Sequence, residues 1–394
     1  MVFAAPMFLL LILIEFSICY FKKYPHYQFN DAINNISSGI FEEIAALPAR
    51  GLIIFSYYYL YEHYAFFTIS AESIFTWIIL WLAVDFTYYW FHRVSHRNNF
   101  FWLGHSVHHQ SELYNLSVAL RQGYFQSLTS WVFYLPLALI GFPTWMFVIV
   151  LGLNTVYQFW LHTQTINKMG WFETLFNTPS HHRVHHGTNP QYIDKNYAGS
   201  LIIWDKLFGT FEPEKEPVNY GVTEPLHTWN PFVANFKVLQ DLFYYGKNLR
   251  NKATLLQAPF RPPEWIIKRL QAEGTLVSKR IVPPKNTHAP RAFMILNIAY
   301  AIGSYTYVSF VFNPNLWVSW LLVILILASL GELGFIANGQ QQVLIPELLR
   351  TALLALILYL LALPLWPALL FFAVNQALLQ YGTVPSAHGQ QVQF

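Results

Sequence analysis

The chain has 394 residues, of which 55% are hydrophobic and only 11% are charged, and its formal net charge is +3. An ordinary soluble domain is about 25% charged, so this composition excludes a typical soluble protein, and the small positive charge gives no argument for a nucleic-acid partner. The one cysteine, Cys19, lies in an apolar run, which excludes disulfides and thiolate metal sites. The sequence therefore predicts a protein that crosses a membrane several times.

The first half of the chain contains four apolar stretches. Residues 2–20 have no Lys or Arg before them and no small-residue cleavage site after them, so they predict a retained membrane helix rather than a signal peptide. Residues 21–50 are polar and mixed, and they predict a cytoplasmic segment with a short amphipathic helix. Further spans are expected at 51–69 and 74–91, and the stretch 124–162 is long enough for two passes or a hairpin.

The second half divides into a charged segment and an apolar tail. Residues 163–292 hold sixteen of the 23 Lys and Arg residues, which places them in the cytoplasm under the positive-inside rule. Apolar runs return at 293–311, 315–331 and 351–379, the last as either one kinked helix or a hairpin. Together the elements predict an all-α membrane bundle of three parts: a catalytic domain at 1–258, a cytoplasmic linker at 259–292 and C-terminal transmembrane helices at 293–394.

Histidines form three closely spaced boxes, two of them between His92 and His109 and the third in the charged segment. Imidazoles three or four residues apart on a helix point from one face toward a shared point, and imidazole is the commonest neutral metal ligand. One zinc ion is saturated by about four ligands, so this larger set predicts two metal ions with open coordination positions. The alternatives are a pH sensor or a structural zinc site. The box histidines are His92, His96, His105, His108, His109, His182, His185 and His186.

Two polar residues in apolar stretches extend this candidate site. His162 follows Asn154 and Gln158 at one-turn intervals, and this stripe favours an additional ligand over a hydrogen-bonded structural histidine. Asp85 lies two turns before the first box on nearly the same helix face, and an acid in an apolar run is usually functional. We expect Asp85 to orient a ligating imidazole; the alternatives are a partner for Arg93 or a solvated helix end.

The ligand type narrows the identity of the metal. An all-imidazole site beside a membrane is compatible with zinc, copper or iron. A zinc hydrolase is expected to need fewer ligands and a carboxylate general base, as in HExxH, which the sequence lacks. The number of histidines and their place at a membrane favour iron and oxygen chemistry.

The boxes and the sequence around them resemble a known superfamily. The eight-histidine pattern is similar to that of the fatty acid hydroxylase and sterol desaturase superfamily, whose members are integral-membrane, non-haem di-iron oxygenases. Over about residues 30–230 the chain looks most like the alkylglycerol monooxygenase subgroup, which cleaves glyceryl ethers with tetrahydrobiopterin. The matching segments are DFTYYWFHRVSH, GHSVHHQSELYNLSVALRQ, NTVYQFWLHTQ and NTPSHHRVHHGTNPQYIDKNYAGSLIIWDKLFGTFEPE.

The resemblance implies a membrane-bound di-iron monooxygenase that hydroxylates a lipid alkyl chain and cleaves an alkylglycerol to a fatty aldehyde and glycerol. It implies two iron ions held by the eight box histidines, with His162 as an additional ligand, in a histidine-rich cap that faces the cytoplasm. Molecular oxygen and a lipid from the bilayer would be the substrates, and tetrahydrobiopterin the electron donor.

Polar residues that follow the boxes are candidates for contacts to a ligand, the substrate or the pterin. With Asp85, we predict catalytic roles for Glu112 and Asn115 after the second box and for Asn196 after the third. The alternative is that these side chains cap helices and hold loops over the site.

Three other functions stay open at the level of sequence. The nearest is a sister enzyme that acts on a fatty acyl, sterol or amino-lipid substrate with another electron donor. A histidine-rich transporter or metal-binding protein is less favoured, because transporters scatter their ligands over several spans near the membrane midplane. A membrane hydrolase is the third. We expect an integral membrane protein of a bacterial inner membrane or a eukaryotic endoplasmic reticulum, and a homodimer through the membrane helices is allowed.

Overall fold

The computed structural model describes residues 4–277, 290–313, 315–340 and 343–382. Within these ranges the chain is helical and forms no β-strand beyond two isolated bridges, which confirms the predicted all-α fold. The helices are α1 Ala5–Lys22, α2 Phe29–Ala45, α3 Leu47–Tyr64, α4 Ile74–Arg97, α5 Asn99–His105, α6 Tyr124–Ser130, α7 Leu135–Ile140, α8 Thr144–Phe159, α9 Pro179–His185, α10 Ile203–Leu207, α11 Pro231–Gly246, α12 Trp265–Glu273, α13 Arg291–Val311, α14 Trp317–Ala337, α15 Leu344–Leu360 and α16 Trp366–Gly382. Short 3₁₀ segments lie at Ser106–His109, Leu116–Leu120, Trp131–Phe133, Gly170–Thr174 and Lys252–Phe260.

Four of the described helices are long and apolar enough to cross a membrane, namely α1, α4, α13 and α14. They match the stretches predicted at 2–20, 74–91, 293–311 and 315–331. The tyrosine-rich α3, which covers most of the stretch predicted at 51–69, is not among the four. The predicted multi-span membrane protein is therefore confirmed, although the stretches predicted at 124–162 and 351–379, like α3, contribute no helix to these four.

Both stretches whose number of passes was open are divided into separate helices. In the first, α7 and α8 are separated at Gly141, which has a φ of +112°. A Cβ atom at Gly141 would lie 1.8 Å from the carbonyl oxygen of Phe67, so only glycine fits this turn. In the second, α15 ends at Leu360 and α16 begins at Trp366, which gives two helices rather than one kinked helix.

The helix α2 is longer and more deeply buried than the short amphipathic helix expected between residues 21 and 50. Its residues Ile40, Phe41 and Ile44 share one apolar core with Phe293 of α13 and Leu330 of α14. The C-terminal helices therefore pack against the N-terminal half of the chain. The division into parts 1–258, 259–292 and 293–394 stays a prediction.

Candidate metal centre

The nine histidines singled out from the sequence come together in two groups. In each group one ring nitrogen of every histidine lies within 4.8 Å of those of the others. All of these side chains are buried except that of His96, which is half-buried. The protein thus offers two neighbouring positions that are each surrounded by imidazoles. The first group is His92, His96, His105, His109 and His185, and the second is His108, His162, His182 and His186.

The first box lies at the end of α4, which a single residue, Asn98, separates from α5. His92 and His96 lie one turn apart near the C-terminal end of α4. Asn98 then adopts an extended conformation, and its side chain accepts a hydrogen bond from the backbone N–H of Phe100 at 3.0 Å. This is the N-cap of α5, whose last residue is His105. One asparagine therefore turns the chain so that two boxes face each other.

The two HxxHH boxes are each divided between the groups. His108 and His109 are consecutive in a 3₁₀ turn, and their ring planes are 87° apart with centroids 5.4 Å apart. His185 and His186 at the end of α9 have ring planes 90° apart, also with centroids at 5.4 Å. Consecutive side chains on a helical turn point about 100° apart. Each box therefore contributes imidazoles to both metal positions.

In the first group, hydrogen bonds fix which ring nitrogen faces inward. The Nδ1–H of His92 donates to the carbonyl oxygen of Tyr197 at 2.7 Å, and the Nδ1–H of His105 donates to Oε1 of Gln126 at 2.8 Å. In a neutral imidazole this leaves Nε2 as an acceptor with a lone pair. The Nε2 atoms of His92 and His105 nevertheless lie only 2.8 Å apart. Two lone pairs at this distance repel each other unless a cation lies between them.

The second group repeats this arrangement. The Nδ1–H groups of His108 and His162 donate to the carbonyl oxygens of Arg121 and Gln158, both at 3.0 Å. The two Nε2 atoms are 3.1 Å apart. Neighbouring imidazoles bound to one metal ion through bonds of about 2.1 Å have ligand atoms about 3 Å apart. The donor sets of both groups therefore fit divalent cations held by neutral imidazoles.

Burial keeps these imidazoles neutral. Loss of solvent lowers the pKa of His105 and of His162 to about 4 and the pKa of His185 to about 3. The pKa values of His182 and His186 are also well below the ordinary value, with burial as the main cause and neighbouring histidines as a further one. Near pH 7 the rings are therefore in the form that binds a metal ion.

Asp85 holds the scaffold of the site together. Its carboxylate accepts hydrogen bonds from the backbone N–H groups of Ser200 at 2.7 Å and Leu201 at 3.0 Å. It also accepts from the side chains of Asn154 at 2.8 Å and Trp204 at 3.0 Å. These bonds join α4 to α8 and to the loop whose Tyr197 carbonyl orients the first box. The sequence predicted that Asp85 would bond to a ligating imidazole, whereas these bonds connect it to the loop that carries Tyr197. Its catalytic role stays a prediction.

The other polar candidates lie at loops. The side chain of Glu112 is exposed. Asn115 is buried and caps the 3₁₀ turn Leu116–Leu120. Asn196 is buried and bonds to the backbone of Glu212, donating to its carbonyl at 2.8 Å and accepting from its N–H at 2.9 Å. The two asparagines therefore hold loops, and catalytic roles for all three residues stay predictions.

The sequence did not predict the groups that orient the imidazoles. Gln126 on α6 holds His105, and the backbone carbonyl of Lys195 accepts from Nδ1 of His185 at 2.9 Å. A carbonyl is present in every residue, so its use as an acceptor leaves no sequence signal. Gln126 lies in an apolar stretch, which is the one signal that could have identified it.

A cavity of about 420 Å³ opens onto both histidine groups. His105 of the first group and His108 and His162 of the second lie in its wall. Pockets for small molecules have volumes of this order. Much of the remaining wall is apolar, as expected for a lipid chain, and includes Phe8, Leu9, Phe91, Leu120, Leu151 and Phe159.

The fold and the site define an integral-membrane protein with two histidine-lined metal positions beside an apolar cavity. A family model described as fatty acid hydroxylase matches residues 77–210, a segment that contains all nine histidines. An alkylglycerol monooxygenase of Danio rerio is 38% identical over 366 residues, which cover 90% of this chain and 81% of that protein. One of Homo sapiens is 39% identical over 367 residues with the same coverage.

A more distant relative is the ornithine lipid hydroxylase of Rhizobium tropici, which is 28% identical over 151 residues, 37% of this chain and 45% of that protein. No solved structure matches the chain. The chain belongs to the fatty acid hydroxylase family and, within it, to the alkylglycerol monooxygenases. It is an oxidoreductase, a lipid-hydroxylating monooxygenase that acts on a lipid with molecular oxygen.

Proposed function

We propose that the protein cleaves the ether bond of alkylglycerols, with one iron ion in each histidine group and tetrahydrobiopterin as electron donor. The observation that carries the proposal is the pair of Nε2 lone pairs that converge in each group, next to an apolar cavity. The names of the relatives that align over most of their length support an alkylglycerol as the substrate.

Bound iron ions would supply the activation of oxygen, and the pterin would supply two electrons. Hydroxylation of the carbon next to the ether oxygen gives a hemiacetal. The C–O bond between the oxidised carbon and the ether oxygen of the hemiacetal then breaks, which gives a fatty aldehyde and glycerol. The aldehyde keeps one oxygen atom from O₂, and the glycerol keeps the ether oxygen. The second oxygen atom of O₂ leaves as water.

The protein's own residues hold the substrate and the rings in place. The apolar wall of the cavity would keep water away from the oxidised carbon and fix one carbon of a flexible chain next to both metal positions. The bonds from Nδ1 atoms to Tyr197, Gln126, Arg121 and Gln158 would stop the imidazoles from turning during the reaction.

The location of the site is part of the proposal. Residues 163–292 carry most of the positive charge, which supports a histidine cap on the cytoplasmic side. A lipid would reach the cavity from the bilayer between the membrane helices. The compartment, the homodimer and the division into three domains belong to the same set of proposals.

The test is the purified protein with ferrous iron, a reduced pterin and 1-O-hexadecylglycerol. We expect about two iron ions per chain, hexadecanal as the product, and no turnover when oxygen or the pterin is left out. If no aldehyde forms while a fatty acyl or amino-lipid substrate is hydroxylated, the ether-cleaving proposal is wrong and the sister-enzyme alternative is favoured. Two zinc ions and turnover without oxygen would instead favour a hydrolase.

A further inference from the structure

The wall of the cavity carries a polar cluster opposite in character to the apolar lining. Glu42 and Glu43 lie on α2, Arg50 on α3, Ser127 on α6 and Tyr305 on α13. These five residues form the Arg50 cluster. Among the described lining residues, only its two glutamates and its arginine have charged side chains. A tunnel that binds only an alkyl chain needs no charged groups, so the presence of the cluster indicates either a polar ligand or a structural role.

The cluster is ordered by its own hydrogen bonds but remains open to the cavity. Arg50 donates to Oε2 of Glu42 at 2.8 Å and also bonds to Glu43. Tyr305 donates to Oε2 of Glu43 at 3.2 Å, and Ser127 donates to Glu42. The side chains of Glu42, Glu43 and Arg50 keep 7%, 18% and 30% of their exposure. Lone pairs of Glu43 and N–H groups of Arg50 are therefore available to a ligand in the cavity.

The charge of the cluster limits what it can bind. Two carboxylates and one guanidinium sum to −1. Burial raises the pKa of Glu42, and the neighbouring Arg50 opposes this shift, so a proton on Glu42 would bring the sum to zero. In neither state is there surplus positive charge for a phosphate group. Carboxylates accept hydrogen bonds from hydroxyl groups, and the arginine and tyrosine offer donors to hydroxyl oxygens, which fits an uncharged polyol.

The cluster lies close to the histidines along α6. Gln126 accepts the hydrogen bond that orients His105, and the next residue, Ser127, bonds to Glu42. In an alkylglycerol the oxidised carbon is separated from the glycerol hydroxyl groups by only a few bonds. Its headgroup must therefore lie close to the metal positions while the alkyl chain runs along the apolar wall. A lipid oxidised in the middle of its chain would place its headgroup much farther away.

We propose that the Arg50 cluster binds the hydroxyl groups of the substrate's headgroup and selects an uncharged glycerol over a phosphorylated one. This inference rests on the proposed ether-cleaving function and adds the residues that set its specificity. Four of the five residues lie outside the family segment 77–210, so the chemistry and the choice of headgroup come from different parts of the chain. A rival ligand is the pterin, whose amino-pyrimidine edge also donates to carboxylates.

The turnover test compares 1-O-hexadecylglycerol with its 3-phosphate in the iron-loaded protein. We expect the wild type to prefer the uncharged lipid at least about tenfold in kcat/KM. Glu43→Gln should raise the KM for hexadecylglycerol about tenfold, because a charge-assisted hydrogen bond is lost, and should reduce the preference. The KM for the pterin should not change. Glu264→Gln, which alters an exposed glutamate at the N-cap of α12 paired with Lys268, is the matched control and should resemble the wild type.

Two outcomes of the turnover test would overturn the assignment. A parallel fall for both lipids with an unchanged preference would mean that Glu43 only supports the cavity wall. A raised KM for the pterin with an unchanged KM for the lipid would assign the cluster to the pterin. If Glu43→Gln does not fold, Tyr305→Phe removes one hydroxyl and keeps the ring; it should raise the KM for hexadecylglycerol about threefold.

A binding measurement separates this inference from the proposed function. In thermal unfolding of the iron-free protein, hexadecylglycerol should stabilise the wild type more than its phosphate does, and Glu43→Gln should abolish the difference. If neither lipid is turned over but the binding preference is present, the ether-cleaving function fails and the headgroup site stands. Equal stabilisation of the wild type by both lipids would overturn the headgroup site whatever the turnover.

Discussion

Two buried polar regions of this protein are built on opposite principles. In the histidine centre the rings are neutral and their inward lone pairs face one another, so the site is completed only by a cation. Among the C-terminal helices, Glu332, Glu347 and Arg350 lie almost fully buried, with side-chain exposures of 1%, 0% and 2%. There both carboxylates form ion pairs with the one guanidinium, although the two carboxylate oxygens of Glu332 have no hydrogen-bond partner.

The second region serves to hold helices together. Arg350 of α15 contacts Glu332 of α14 at 3.2 Å and bonds to Asn297 of α13, and Asn375 of α16 donates to Glu347 at 2.9 Å. All four C-terminal helices meet at this cluster. Convergent lone pairs with no donor between them thus mark a metal site, whereas this almost fully buried ion-pair cluster joins helices. The Arg50 cluster has the same charges but lines the cavity, where a ligand can reach it.

Loss of one imidazole from each group gives the largest expected effect. The double variant His105→Ala, His108→Ala should bind little iron and lose lipid oxidation by at least about a thousandfold, because both metal positions lose a ligand. The iron-free variant should unfold at the same temperature as the iron-free wild type or higher, since repulsion between lone pairs is removed. Iron analysis, turnover and thermal unfolding check this, and a large loss of stability in the iron-free state would contradict it.

The pH dependence of stability should be the next largest effect, and it should belong to the histidine centre. The folded iron-free protein keeps His105, His162 and His185 neutral down to about pH 3–4, whereas the unfolded chain protonates them near pH 6.5. Stability is therefore fully present above about pH 7 and is lost as the pH falls toward 4, by up to about 1.4 kcal/mol per group and pH unit. Thermal unfolding between pH 8 and 4 measures the slope.

Iron provides the control for this pH dependence. Since the metal binds only the neutral rings, ferrous iron should move the loss of stability to lower pH. A flat profile in the iron-free protein would mean that these rings are not buried as neutral groups. Zinc, which lacks redox chemistry, should protect in the same way but should not support turnover.

Removal of the guanidinium from the C-terminal cluster should destabilise the protein without changing its chemistry. Arg350→Met leaves two buried carboxylates without their partner, which typically costs about 3–5 kcal/mol. Thermal unfolding should show this loss, while iron content per folded chain stays near the wild-type value. Adding Glu347→Gln should recover part of the stability. Loss of iron at unchanged stability would place this cluster in the metal site and remove the contrast.

Loss of the acceptor that orients one imidazole should give the smallest effect. Gln126→Ala removes the oxygen to which Nδ1 of His105 donates, and such changes typically reduce metal affinity about 10- to 100-fold. Gln126→Glu keeps an acceptor and should retain most of the affinity, so it is the matched control. Equal iron affinity in all three proteins would show that this hydrogen bond does not matter for binding.

The sequence predicted the elements of the site better than their arrangement. Residue types and spacing singled out the nine histidines that the structure brings together and predicted the helix that carries His92 and His96, because the chemistry of imidazole and the length of an apolar run can be read from the residues alone. The division of His108 from His109 could not be predicted, because it depends on a 3₁₀ turn after α5. The acceptor at Tyr197 is a backbone carbonyl and leaves no sequence signal.

The polar segment between the first two apolar stretches is a second case in which the sequence did not predict the arrangement of residues. Glu42 and Glu43 lie in a segment that composition assigns to solvent, and they line the cavity only because α2 packs against α13 and α14. That contact joins residues about 260 positions apart, as between Glu43 and Tyr305. Contacts between residues so far apart in the sequence depend on tertiary packing, and the local sequence pattern does not predict them.

The source of the oxygen atom in the product tests the central claim most directly. The protein is supplied with ferrous iron, reduced pterin and 1-O-hexadecylglycerol under ¹⁸O₂, and the aldehyde is reduced at once to hexadecanol before it exchanges with water. Oxidation of the carbon next to the ether oxygen predicts one ¹⁸O atom in the hexadecanol and none in the glycerol. Hexadecanol with oxygen from water only, or label in the glycerol, would contradict the account.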